Sequence, residues 1–209
     1  WQTFGLGLRW YVSGHAPWSN AYETMVYVGW ATVLSGLVFA RRSRLAPALA
    51  ALMGGVALFV SNLNWLDPQI TPLVPVLKSY WLMIHVSVVT ASYGFFGICA
   101  ACGIASLAAT AFGRNLRELR AINEMAMIVG LALLTAGIFF GAVWANESWG
   151  RYWGWDPKET WALITMFAYA LATHSRHIPW LDGPFAFDVL SVVCFATVLM
   201  TFFGVNYFL

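Results

Sequence analysis

The residues with the clearest chemical potential lie between positions 144 and 161, in the stretch WANESWGRYWGWDPKETW. Five of these eighteen residues are tryptophans, and Gly150 and Gly154 separate the large rings. Indole rings collect at membrane surfaces because each is apolar with one polar tip, but this explains two or three tryptophans rather than five. Glycines between rings allow tight turns that bring flat faces together. The segment therefore predicts a flat aromatic surface that binds a large planar molecule.

Charged side chains accompany the rings in this segment. Arg151 and Lys158 could pair with anionic groups at the edge of a ligand, as could Arg9 near the start of the chain. An apolar plane with a carboxylate edge is typical of haem, so we predict that the segment binds haem. The candidate binding residues are Trp144, Trp149, Arg151, Trp153, Trp155, Asp156, Lys158 and Trp161.

Two histidines within apolar runs are candidate iron ligands. Ionisable residues inside a membrane helix are uncommon and usually functional, although each could also be a buried, hydrogen-bonded histidine. His85 lies near the start of one apolar run, and His174 lies about 27 Å along the helix axis from Asp156. Two ligands of one iron lie only ~4 Å apart, so His85 and His174 predict two separate haem sites. His15 is a weaker candidate, because a loop histidine more often makes ordinary hydrogen bonds.

The composition predicts a polytopic membrane protein. Hydrophobic residues make up 60% of the 209 residues and charged residues 10%, whereas roughly a quarter of a soluble domain is charged. The net charge of +2 and the absence of a basic run interleaved with aromatics exclude a nucleic-acid surface. No secretory signal peptide is visible. The chain opens inside an apolar-looking segment, so we expect a piece of a longer protein, truncated at both ends.

The hydrophobic pattern predicts an all-α, polytopic integral membrane helical bundle. It forms one domain over residues 1–209, with the tryptophan-rich segment as an extracytoplasmic loop. Six segments meet the length of a membrane span: about 21–40, 46–63, 80–111, 124–145, 158–177 and 187–209. Basic residues concentrate on one side of these spans, at Arg41, Arg42, Arg44, Arg114, Arg117, Arg120 and Arg176. The excess of positive charge in cytoplasmic loops puts that side in the cytoplasm and the tryptophans outside.

Two helix starts can be read from capping residues. Asp156, Pro157 and Glu159 fit the cap, first and third positions of a helix, and we favour this role over acid–base catalysis. Ser19 or Asn20 followed by Glu23 predicts a second start of the same kind.

The segments between the helices carry further expectations. Prolines in residues 64–79 disfavour a long helix there and predict a cover beside the tryptophan segment. In the loop 113–123, Arg117, Glu118 and Arg120 predict a solvated charged face with no chemistry.

The three cysteines lie in apolar runs. Cys99 and Cys102 have the spacing of a redox dithiol. A thiol in hydrocarbon is a poor nucleophile, and a free cysteine behaves as a small buried hydrophobe. We therefore favour packing over redox chemistry for Cys99, Cys102 and Cys194.

Three stretches of the chain resemble a known family. Trp144-Ala145, Trp149-Gly150, Trp153 and the run 155–159 resemble the tryptophan-rich "WWD" signature of the haem-handling proteins of cytochrome c maturation. The continuation Asp-Pro-Lys-Glu-Thr-Trp resembles the CcsA/ResC branch (system II) rather than CcmC or CcmF. Residues 14–23 resemble the family's Gly-His-x-Pro-x-Ser-Asn-x-Tyr-Glu motif, and residues 81–86 resemble its Trp-Leu-x-x-His-Val stretch.

The resemblance implies that haem b moves from the cytoplasmic side to an extracytoplasmic site. There it would be presented for thioether attachment to the Cys-x-x-Cys-His motif of apocytochrome c. The implied partners are a CcsB/ResB-type membrane protein or the fused half of a CcsBA chain, apocytochrome c and a thiol-reducing thioredoxin-like protein. The implied location is a bacterial inner membrane or a thylakoid membrane.

The resemblance also implies iron ligands. The family histidine that corresponds to His85 is an axial ligand. The second ligand of the inner haem is a histidine on the companion protein, and that of the outer haem is a histidine just after the last helix. This sequence stops at Leu209 before such a residue, which leaves the second outer ligand unidentified, with His15 as a candidate.

Several functions remain open on these residues. The chain could belong to a holocytochrome c synthase, or it could be a haem transporter or chaperone that hands haem to a separate ligase. A quinone-linked protein with b-type haems would ordinarily show paired histidines on facing helices within one leaflet. A structural subunit anchored by its tryptophans would bind no haem.

Overall fold

The computed structural model describes residues 1–63 and 65–208, and these residues fold into helices joined by turns and loops, with no strand among them. The α-helices are α1 (Gln2–Ser13), α2 (Ala21–Val38), α3 (Leu45–Ser61), α4 (Tyr80–Ala111), α5 (Arg117–Trp149), α6 (Pro157–Thr173), α7 (Pro184–Leu199) and α8 (Val205–Phe208). Two 3₁₀ turns, Pro75–Lys78 and Ser175–His177, and a π-helical turn, Met200–Gly204, complete the regular structure.

Three stretches are long and apolar enough to cross a membrane: Tyr80–Ala111, Arg117–Trp149 and Pro184–Tyr207. The helix Leu45–Ser61 is apolar but shorter. The prediction of an all-helical membrane protein is therefore confirmed, whereas the number of six spans stays a prediction.

The long helix α4 lies at the centre of the bundle and packs against α2, α3, α5 and α7. Its Phe96 ring is fully buried and stacks on Tyr169 of α6, with the ring centroids 3.6 Å apart. Ile98, Met127 and Leu134 complete a dry centre from α4 and α5. Removal of these apolar side chains from water stabilises the packing. The packed core holds the ends of the helices in fixed relative positions.

The tryptophan-rich segment is more helical than predicted, because the helix expected to end near residue 145 runs four residues further. Helix α5 continues through Trp149, so Trp144 and Trp149 lie on its last turns. It ends at Gly150, which has φ 69° and donates its N–H to the Asn146 carbonyl. A left-handed residue at this position suits glycine, which has no Cβ. Only residues 150–156 form the connection to α6.

The predicted solvated face at residues 113–123 is wrong for Arg120. Its Nε donates to Oδ2 of Asp188 on α7 at 2.8 Å, and the Asp188 side chain is fully buried. Arg120 also donates to Asn115 and to Thr110. A guanidinium has five N–H donors in a fixed fork, and here it joins the ends of α4, α5 and α7.

All three cysteines are free and buried. The Cys99 thiol donates to the Asn123 carbonyl at 3.5 Å, and the Cys194 thiol donates to the Ala168 carbonyl at 3.4 Å. This placement supports the packing role.

Candidate functional site

A cavity of about 710 Å³ opens at the end of the bundle that carries the tryptophan-rich segment. Its volume lies within the range of roughly 300–1,000 Å³ that is typical of small-molecule sites. Its walls come from the start of α2, the first half of α4, the last turns of α5, the start of α6 and the π-helical turn. Along α4 the lining runs from Leu82 to Tyr93, a depth of roughly 16 Å.

His85 lines this cavity and is held in one orientation by the neighbouring helix. Its Nδ1 lies 2.7 Å from the Gly137 carbonyl oxygen. Because a carbonyl can only accept, Nδ1 carries the proton, and the neutral ring keeps a lone pair on Nε2. Among the described residues, the only hydrogen bond of this ring is the one at Nδ1. A histidine whose other nitrogen donates to a carbonyl is the usual form of a metal ligand.

Gly141 gives the His85 ring its space on α5. A Cβ atom built on Gly141 would lie 2.7 Å from both Cε1 and Nδ1 of His85. The imidazole therefore packs directly on the helix backbone, and any side chain at position 141 would displace it.

Three of the predicted tryptophans, Trp144, Trp149 and Trp153, line the cavity. Trp144 and Trp149 meet edge to face with their centroids 4.6 Å apart. A fourth indole that the sequence did not single out, Trp18, also lines the cavity and donates its Nε1–H to the Met83 carbonyl at 3.1 Å. Aromatic rings from α5, the α5–α6 connection and the segment before α2 therefore enclose one space.

Trp155 and Trp161 do not line the cavity. Trp155 is 70% exposed and has φ 56°, a left-handed backbone conformation for a residue with a side chain. Its ring meets the edge of Trp153, with the centroids 5.7 Å apart. Trp161 lies one turn into α6 and is partly buried.

The predicted charged residues divide into two groups. Asp156 and Lys158 line the cavity, and so does Glu159. Asp156 caps α6 by accepting the Glu159 N–H at 2.9 Å, as its position predicted. Arg151 lies outside the lining, and its guanidinium packs on the backbone at Gly154.

The start of α2 also follows the prediction from its capping residues. Asn20 accepts the Glu23 N–H at 2.8 Å, and Glu23 accepts the Ser19 N–H at 2.9 Å. Arg9 donates to the buried Glu23 carboxylate at 2.8 Å. Arg9 does not line the cavity and its charge is paired with Glu23, so its role at the edge of a ligand stays a prediction.

The other two candidate histidines do not line the cavity. His174 caps the C-terminal end of α6, at the opposite end of the bundle, and is exposed. Its Nδ1 lies 2.8 Å from the Ala170 carbonyl oxygen, which leaves Nε2 as the acceptor nitrogen. His15 is half-buried; its Nδ1 lies 3.3 Å from the Ala16 carbonyl, and its Nε2 is buried without a partner among the described residues.

The remaining walls come from one loop that the sequence predicted as a cover and from C-terminal residues that sequence reasoning missed. The loop that was expected to cover the tryptophans contributes Leu66 and Leu77, and Asn64 of that loop lies outside the described residues. The far wall comes from the C-terminal part of the chain, with Thr201, Phe202, Phe203, Asn206 and Tyr207. Trp18 was accessible from the sequence, because it lies between His15 and Asn20 of a motif already noted. The C-terminal wall had no such signal.

Comparisons with known proteins agree on one family. Residues 18–209 match the family described as "Cytochrome C assembly protein". The chain is 50% identical to Protein NrfI of Wolinella succinogenes over 99% of its length, but it spans only 24% of that relative. It is 35% identical to the cytochrome c biogenesis protein CcsA of Guillardia theta, over 98% of the chain and 78% of the relative. The CcsA of Parasynechococcus marenigrum is also 35% identical, over 98% and 79%.

The family match covers nearly the whole chain, including every described segment that lines the cavity. The chain therefore belongs to the cytochrome c assembly protein family and is of the CcsA type.

Proposed function

We propose that this chain binds haem b during cytochrome c maturation and presents it on the extracytoplasmic side of the membrane. The cavity at the tryptophan end is the haem site, and His85 supplies one axial ligand through Nε2. Tryptophans 144, 149 and 153 form its apolar walls. The CcsA relatives are named as cytochrome c biogenesis proteins. These names support a role in cytochrome c maturation, and the binding and presentation of haem are our proposal.

The observation that carries the proposal is the orientation of His85. Its Nδ1–H donates to the Gly137 carbonyl at 2.7 Å, and its ring packs on Gly141. The residue lines a cavity of about 710 Å³, and its Nε2 keeps a free lone pair. A histidine that only stabilised the fold would need one hydrogen bond. It would not need to line a large, mostly apolar cavity.

Among the charged residues that line the cavity, Lys158 suits the propionates of haem. Lys158 lines the cavity and is exposed, and it forms no ion pair among the described residues. Charge-assisted hydrogen bonds to a carboxylate would fix the orientation of the ring in its plane. With Arg9 committed to Glu23, Lys158 is the cation best suited to this role.

The chemistry that such a site serves is thioether formation on apocytochrome c. Each cysteine S–H adds across one vinyl C=C, so that a C–S and a C–H bond replace the S–H and the π bond without net oxidation. No side chain of the cavity is an evident nucleophile. The contribution of this chain is therefore to hold haem in place for the two thiols, which lowers the entropic barrier.

A second haem station at His174 extends the proposal to the cytoplasmic side. The Nδ1 bond to Ala170 orients this imidazole in the same way as that of His85. Because the ring is exposed, its partner ligand would come from another polypeptide, for which a CcsB/ResB-type protein or fused half is our candidate. Apocytochrome c and a thioredoxin-like reductant are the other proposed partners, and a bacterial inner or thylakoid membrane is the proposed location.

The test is the haem spectrum of the purified protein. The wild type should show a Soret band, and His85→Gly should lose that band and recover it in part with imidazole. A band that is unchanged in His85→Gly would contradict the ligand role. Co-expression of the whole complex with an apocytochrome separates a synthase from a carrier, because covalent product without another ligase excludes the carrier.

A further inference from the structure

The connection between α5 and α6 is held by a carboxylate from the helix that follows it. Glu159 Oε2 accepts the Gly154 N–H at 2.7 Å. In the usual capping box, the residue at this position accepts the N–H of the cap residue itself, which here is Asp156. Glu159 reaches two residues further back, to the peptide bond between Trp153 and Gly154. It therefore fixes the backbone that carries the rings of Trp153 and Trp155.

The hydrogen bond between Gly154 and Glu159 helps to maintain the left-handed backbone conformation of Trp155. A left-handed backbone is unfavourable for a residue with a Cβ atom and persists only where neighbouring contacts hold it. The bond from Gly154 to Glu159 precedes Trp155, and the Asp156 cap follows it. The Trp155 backbone has φ 56°, and its side chain is 70% exposed. The indole contacts the ring of Trp153 and does not line the cavity.

Trp153 depends on the backbone for its position. Its Nε1 is buried and has no hydrogen-bond partner among the described residues. By contrast, Trp18, which also lines the cavity, donates its own N–H to the Met83 carbonyl. Within the part of the chain described, no hydrogen bond of its own fixes the Trp153 ring, so the backbone of the connection and the edge contact with Trp155 contribute to its position.

We propose that Glu159 is a positioning residue for the haem cavity. By binding Gly154, Glu159 holds Trp153 in the wall, while Trp155 supports Trp153 from outside and does not touch the ligand. This inference rests on the proposed function, since it assumes that the cavity binds haem. It also changes the role of Trp155 from a binding residue to a support.

The test compares Glu159→Ala with Glu159→Gln in haem titrations of the full chain. Loss of a hydrogen bond to a charged group should weaken haem binding about tenfold in Glu159→Ala. The His85-dependent absorption band should keep its position, because the iron ligand is untouched. Glutamine retains an acceptor oxygen for Gly154 and should restore most of the affinity. Trp155→Ala should also weaken binding, although Trp155 does not line the cavity.

The matched control is Glu147→Ala near the end of α5. Glu147 is exposed, accepts a hydrogen bond from Ser79 at 3.3 Å and lies outside the cavity lining, so its loss should not change haem affinity. Unchanged affinity in Glu159→Ala, or equal losses in Glu159→Ala and Glu159→Gln, would overturn the inference. If Glu159→Ala does not fold, the affinities of Glu159→Gln and Trp155→Ala still decide. Failure of the proposed function looks different, because wild-type haem absorbance would then not depend on His85.

Discussion

Arg9 donates from Nε to Oε1 of Glu23 at 2.8 Å, and the Glu23 side chain has no exposed surface. Through Nη2, Arg9 also donates to the Pro68 carbonyl at 2.8 Å. One side chain thus joins α1, the start of α2 and the loop between α3 and α4. Because that loop contributes Leu66 and Leu77 to the cavity, the bond from Arg9 to Pro68 helps to fix one wall of the site.

Arg9→Ala should therefore destabilise the protein strongly. Removing one partner of a buried pair leaves an uncompensated charge, which costs about 3–5 kcal/mol. We expect a lower midpoint of thermal unfolding in detergent. The double variant Arg9→Ala with Glu23→Gln should recover part of the lost stability, because it leaves no unpaired buried charge at Glu23. An unfolding midpoint equal to that of the wild type would show that Glu23 finds another partner.

Gly141→Ala should disturb haem ligation while leaving the chemistry of every side chain in place. The new methyl group would lie 2.7 Å from the His85 ring, so the imidazole must shift. We expect weaker haem binding and a displaced absorption band. The control is Gly55→Ala on α3, where a Cβ meets nothing within 4 Å, and its spectrum should match the wild type. Identical spectra for both variants would argue against a fixed His85 ring.

The pair formed by Arg120 and Asp188 should respond asymmetrically to substitution. Arg120→Ala leaves the fully buried Asp188 carboxylate without its cation, and a loss of about 3–5 kcal/mol is expected. Asp188→Asn removes the buried charge, while Arg120 keeps its bonds to Asn115 and Thr110. Chemical unfolding of the two variants should therefore rank Arg120→Ala as the less stable, and the reverse order would contradict the paired arrangement.

His174→Ala should lower the haem content at both stations if the site at His174 supplies the cavity. The measurement is haem per protein after expression in cells. Haem added to the purified variant should still bind at His85, because the two histidines lie at opposite ends of the bundle. A normal haem content at the His85 site of His174→Ala in cells would contradict transfer from the His174 site to the His85 site.

Local signals in the sequence account for much of the fold and part of the cavity. Capping residues predict the starts of α2 and α6, because a side chain and an N–H three residues apart must meet there. His85, Trp144 and Trp149 come together because α4 and α5 are adjacent in the chain and pack along their length. Such neighbours can be foreseen from hydrophobic pattern and chain order.

Contacts between distant segments could not be foreseen. Arg120 and Asp188 are 68 residues apart, and a charge pattern does not reveal which cations are paired. The π-helical turn Met200–Gly204 changes the phase of the last helix, so that Phe202, Phe203 and Tyr207 reach the cavity. The hydrophobic pattern of the sequence does not reveal whether a helix contains a π-helical turn.

The stacked rings of Phe96 and Tyr169 bear on how a bulky solute could cross the bundle. They lie one turn beyond Tyr93, where the cavity ends, and neither ring has exposed surface. In the part of the chain described, the interior beyond Tyr93 is packed around them. A porphyrin that travels between the ends of the bundle must force these two rings apart or pass along the perimeter of the helices.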